Sequence, residues 1–148
     1  IPKNKSIPGR GFVKIGKTEQ IPDYQRGKLV YQKQCALCHN QDGSGRQISG
    51  RYVFPPLWGK ESYNWGAGMH RVNTAASFIK ANMPLGMGYS LSDQQAWDVA
   101  LFINSHERPQ DPRFNGNIAD TVKKHHQHIG EYGKVSPVDG HILGTHPN

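Results

Sequence analysis

Residues 35–39 read Cys35-Ala36-Leu37-Cys38-His39 and contain both cysteines of the 148-residue chain. Two thiols three positions apart, followed at once by an imidazole, admit three chemistries. A redox-active disulfide uses the same Cys-x-x-Cys spacing but belongs to a strand-turn-helix context, which the flanks do not show. A structural zinc site needs about four ligands, and no second cysteine pair exists. In the third chemistry, the two thiols add across the two vinyl groups of one porphyrin, and the next residue stands under the iron. This reading fits best: Cys35 and Cys38 attach one covalent haem c, and His39 is its proximal ligand.

The composition agrees with a chain that wraps a cofactor. Counted with Gly and without Tyr, the apolar share is about 42%, a little under the usual ~45–50%. There are 17 Gly and 10 Pro, so the domain is rich in loops and its own core is modest. A porphyrin is a large flat apolar body that can supply the missing interior. No apolar run approaches the ~18 residues that span a bilayer, and the composition excludes collagen and coiled coil. The formal charge is +7, from 18 basic and 11 acidic residues. That balance favours acidic partners. No basic run with interleaved aromatics and no zinc-finger spacing is present, so nucleic acid is not an expected partner.

A low-spin electron carrier needs a second axial ligand, usually Met or His. Met83 is the candidate. It follows a helical stretch over Val72 to Asn82, with Ala75, Ala76 and Ile79 on one face. Pro84 cannot continue a helix and biases Met83 away from helical backbone. The thioether is therefore presented from extended chain just past a helix end. Met69 reads as core packing. Met87, between Gly86 and Gly88, is the alternative ligand on a loop, and a His, a Lys or an open site is the remaining one.

The frame around these residues is helical. Asp23 to Gln34 reads as a helix leading into the haem motif, with Gly27 and Tyr31 on one face. Ser92 to Glu107 is the clearest helix: Ser92 and Gln95 form a capping box, and Pro109 ends it. Ala96, Val99, Ala100 and Ile103 form a stripe at helical spacing, widened by Trp97 and Leu101, expected to pack on the helix of Gly27 and Tyr31. Asn40 to Arg46 is turn chemistry and lacks the Gly-Lys-Ser/Thr of a phosphate loop. In Phe54-Pro55-Pro56-Leu57-Trp58-Gly59, the Pro55 carbonyl is the expected acceptor for the second ring N–H of His39. Tyr31, Trp58 and Trp97 complete the residues expected against the haem.

In this order the elements resemble a class I c-type cytochrome. The helix before the Cys-x-x-Cys-His motif, the Pro-Leu-x-Gly element, Met83 before a proline and the closing helix follow the family's sequence. Residues 24 to 118, through the runs PPLWG, SYNWGAGMHR, NTAASFIKANMPLG and LSDQQAWDVALFINSHERPQDPRF, are similar to the haem domain of the tetrathionate-forming thiosulfate dehydrogenases. The resemblance implies an all-α class I cytochrome c fold around one covalent haem. Those enzymes resemble two fused haem domains whose catalytic haem is ligated by His and a Cys thiolate. Here both cysteines are used for attachment, so the resemblance implies the electron-transfer domain standing alone.

The expected organisation is an irregular N-terminal extension (1–22), a cytochrome c domain (23–118) and an irregular C-terminal extension (119–148). The last carries Lys123-Lys124-His125-His126-Gln127-His128, then His141 and His146. A His cluster can bind metal, but a solvated or packed tail is the favoured reading. His70 and His106 are not favoured as ligands. No leader is visible at Ile1-Pro2-Lys3, which suits a mature chain. The expected function is one-electron transfer between redox partner proteins with acidic docking surfaces, in a periplasmic or otherwise extracytoplasmic compartment. Two alternatives stand beside it. One is a role in thiosulfate or tetrathionate chemistry, with Arg71 and Lys80 holding a sulfur oxyanion. The other is a haem sensor with a displaceable Met83.

Overall fold

The structure is a computed structural model that describes residues 15–147. Most of the extension expected over residues 1–22 thus lies outside the described residues. Five α-helices carry the fold: α1 (Tyr24–Gln34), α2 (Ala36–His39), α3 (Val72–Asn82), α4 (Asp93–Ile103) and α5 (Ile118–His125), with a 3-10 turn at Gly68–His70 before α3. The architecture is mostly helical, as expected, with one small sheet. Strands β1 (Arg46–Ile48) and β2 (Arg51–Phe54) pair antiparallel. The turn between them, Ser49-Gly50, has φ of 53° and 78°, the two positive angles that suit a tight hairpin. Its strand residues are nearly all exposed, so no alternating apolar pattern announces it.

The core forms where α1 and α3 pack on α4. Asp23 caps α1 by accepting from the Arg26 N–H. Ser92 and Gln95 close the expected capping box on α4. At the α1–α4 crossing, a Cβ on Gly27 would lie 2.0 Å from the Asp98 carbonyl oxygen, so only glycine permits that approach. Asp98, buried on α4, accepts from the Asp23 N–H at 2.9 Å and pairs with the Arg26 guanidinium at 2.9 Å. Tyr31 and the α4 stripe, with Ala96, Val99, Ala100 and Ile103, are all buried in one cluster.

The closing helix is shorter than expected. It ends at Ile103 with Asn104 as its cap, six residues before Pro109. Ser105 then bonds back to Phe102 in a tighter turn, and Glu107 faces the C-terminal segment instead. Its carboxylate accepts from Trp65 Nε1–H at 3.0 Å and from the Gly144 N–H at 3.0 Å. The C-terminal segment is correspondingly less irregular than expected. It opens with α5, capped by Asn117. Ile118 and Val122 pack with Tyr132 and Leu143 on the fully buried Trp65, forming a second small core.

Candidate haem site and its relatives

The junction of α1 and α2 places the cysteines. Cys35 closes α1 and opens α2, and the His39 N–H bonds back to the Cys35 carbonyl at 2.9 Å. The short α2 therefore brings Cys35, Cys38 and His39 onto one cavity wall. Burial pushes the Cys35 thiol up to about 12, with a contribution from Cys38.

His39 is buried, and its Nδ1–H donates to the Pro55 carbonyl at 2.8 Å. A carbonyl can only accept, so the bond assigns the tautomer and leaves Nε2 with the ring's lone pair. The loop that follows His39 holds this pair together. Gly45 N–H donates to the His39 carbonyl at 3.0 Å, and Leu57 N–H to the Gly43 carbonyl at 2.7 Å. A Cβ on Gly45 would sit 2.3 Å from the Phe54 carbonyl oxygen, and φ there is +75°. Glycine thus allows the loop to press against the Pro55 segment.

Met83 lies on the same cavity. It caps α3 with φ −122° and ψ 149°, its N–H donating to the Ile79 carbonyl. This is the extended backbone the following proline demands. Met69 also lines the cavity, while Met87 is exposed and does not. Most of the remaining wall is apolar, with Val53, Leu57, Phe78, Ile79 and Leu85 among its residues. The cavity measures about 970 Å³ with its open mouth included.

Tyr31, Trp58 and Trp97 do not line it. Tyr31 and Trp58 stand 5.2 Å apart in an aromatic layer with Phe102, and Trp58 stacks on His106 at 4.0 Å. The Tyr31 hydroxyl donates to the Asn40 carbonyl at 2.5 Å, tying α1 to the loop after His39. Trp97 donates to the Gly16 carbonyl at 2.9 Å and borders a different groove, beside Lys17 and Ile129. Arg71 and Lys80 are also outside the cavity. Lys80 is engaged with the Leu91 carbonyl and Asp93.

Two residues at the site escaped the sequence reading. Tyr63 lines the cavity, and the buried Arg108 lies over its ring at 4.2 Å. Arg108 donates to the carbonyls of Leu57 and Ile103 at 2.9 and 3.0 Å. Its Nε has no hydrogen-bond partner, and it joins no ion pair among the described residues. A buried cation with an unsatisfied donor calls for an acidic group. The residues fit a haem: two thiols, an imidazole and a thioether meet on one apolar cavity, and behind its wall lies a buried guanidinium with one unpartnered donor, Arg108 Nε.

The family model described as cytochrome c oxidase, cbb3-type, subunit III matches residues 22–103, more than half of the chain. The chain belongs to this family of c-type cytochromes. Haem c is therefore the cofactor that its family implies. The chain is 52% identical over 144 residues to a thiosulfate dehydrogenase of Stutzerimonas stutzeri, covering 97% of this chain and 47% of that protein. A thiosulfate dehydrogenase of Thiomonas intermedia is 50% identical over 145 residues, again covering 97% of this chain and 46% of the relative. Among solved structures, a thiosulfate dehydrogenase of Marichromatium purpuratum in its as-isolated form superposes with a TM-score of 0.86 at 50% identity. That match covers 92% of this chain and 29% of the other. The chain thus spans less than half the length of these relatives.

Proposed function

We propose that this domain holds one haem c through thioether bonds from Cys35 and Cys38, with His39 and Met83 as axial ligands, and passes single electrons between proteins that oxidise sulfur compounds. The observation that carries the reading is the meeting of Cys35, Cys38, His39 and Met83 on one apolar cavity, with His39 oriented by Pro55. The bound haem would supply a one-electron iron couple. The protein's own contribution is to fix the imidazole, present the thioether and exclude water, and a His/Met pair raises the potential.

The similarity to thiosulfate dehydrogenases supports the sulfur connection. Joining two thiosulfates into tetrathionate releases two electrons, and a single haem accepts them one at a time. Within these residues both cysteines serve attachment, so no thiolate remains for iron. The proposed role is therefore relay, with sulfur coupling carried out at another centre. The compartment is extracytoplasmic, where haem is joined to thiols. No helix among the described residues is long and apolar enough to cross a membrane.

Intact-mass measurement of the denatured protein tests the attachment. The expected mass is the chain plus one haem, and replacing both Cys35 and Cys38 by Ala releases it. A wild-type mass equal to the bare chain would refute covalent binding. The enzymatic alternative is separated by turnover: thiosulfate oxidation by the purified chain with an added electron acceptor would establish catalysis here, and its absence supports relay.

A further inference from the structure

The C-terminal segment meets the cytochrome core at a histidine cluster that electron relay does not use. His70 ends the 3-10 turn before α3, His126 caps the end of α5, and His128 follows two residues later. One ring nitrogen from each lies within 4.8 Å of the other two. His70 and His126 are buried, and His128 is partly so.

The hydrogen bonds around the cluster leave lone pairs to spare. His70 Nδ1–H donates to the Ala67 carbonyl at 2.5 Å, so its Nε2 carries the ring's lone pair and faces His128 Nε2. His126 Nε2–H donates to Asp111 at 2.7 Å. The carboxylate accepts, so the nitrogen left to His126 is Nδ1. That atom is buried and has no hydrogen-bond partner. Metal-binding histidines are typically oriented in this way, with one ring N–H given to a carboxylate or a backbone carbonyl.

We propose that His70, His126 and His128 form a site for a divalent first-row transition ion of the zinc class, with Asp111 orienting His126. Three neutral imidazoles without thiolate or carboxylate in the first sphere suit zinc, copper or nickel and not calcium or magnesium. His70 Nε2 and His128 Nε2 stand 2.7 Å apart. Two nitrogens bound tetrahedrally at zinc are roughly 3.3 Å apart, so His70 and His128 would part by about 0.6 Å, and nitrogens standing up to 4.8 Å apart would close by up to about 1.5 Å, with His128, the least buried of the three, free to make most of that adjustment. Gly130 packs against both rings: a Cβ there would be 3.2 Å from the His70 ring and 3.7 Å from the His128 ring, so the glycine leaves that side of the pair uncrowded. The ion would fasten the chain after α5 to the turn that carries Met69, a residue of the haem cavity wall.

The competing arrangement is a metal-free hydrogen bond from His128 to His70. Zinc titration of the full-length holoprotein, stripped with chelator and followed by calorimetry and elemental analysis, separates the two. The site predicts one retained zinc per chain and a higher melting temperature with zinc. His128→Gln should weaken binding at least about tenfold and abolish the thermal shift, while His125→Gln leaves both unchanged. No retained zinc in the wild type, or equal affinity in His128→Gln, would overturn the site. His128→Gln is the informative variant because its side chain is partly exposed and its replacement does not open the core.

Discussion

His106 shows how burial alone reshapes a residue. Stacked on Trp58 and packed edge-on to Phe102, it is pushed by burial down to about 4 from its ordinary value near 6.5. Below pH 6.5 the unfolded chain takes up this proton while the folded chain does not. The associated stability is fully present above that pH and is lost progressively down to about 4. The shift sets an upper bound of about 3 kcal/mol. Melting curves between pH 4 and 7 should therefore fall more steeply for the wild type than for His106→Gln; parallel curves would contradict the assignment. His39 shows the opposite principle, a titratable ring whose job is set by one acceptor, the Pro55 carbonyl. That pair was legible in the sequence because proline sixteen residues downstream is a local enough signal. Arg108 was not, since its burial comes from Tyr63, Trp65 and two carbonyls that only the fold assembles.

Among the elements, the α1–α4 crossing carries the most weight. Gly27 leaves no room for a methyl group against Asp98, so Gly27→Ala should destabilise the domain by about 1–3 kcal/mol or more, measured by denaturant unfolding of the holoprotein. An unchanged midpoint would mean that the helices can separate without loss. This crossing was readable from the Gly27–Tyr31 spacing and the α4 stripe. The bounds of α3 were equally readable, because Pro84 stops it and its apolar face is regular. The hairpin was not, because its strands bury almost nothing. The true end of α4 was hidden too. Pro109 is an obvious terminator, but Glu107 turns earlier to gather Trp65 and Gly144. In α5, the run of Lys and His drew attention away from Ile118 and Val122, which pack on the second core.

For the molecule as a whole, the charge of +7 bears on association. Electron exchange with an acidic redox partner should slow as ionic strength rises, and stopped-flow rates that ignore salt would argue against electrostatic docking. The long-range arrangement was only half visible in advance. Cys35, Cys38 and His39 fall within five residues, and Met83 is marked by its proline, so these four residues of the cavity wall could be named from the sequence alone. The meeting of His70 with His126 and His128 spans up to 58 positions and depends on how the C-terminal segment folds back along Val72 and Ile129. The account as a whole stands on a closed His39/Met83 haem. Absorption spectra of the oxidised and reduced holoprotein, the latter repeated under carbon monoxide, examine it. The predicted result is a sulfur-to-iron charge-transfer band in the oxidised form and no carbon monoxide binding in the reduced form, with Met83→Ala losing the band and gaining the gas. Ready binding of carbon monoxide by the wild type, or no sulfur band, would contradict it and shift the function toward catalysis or sensing.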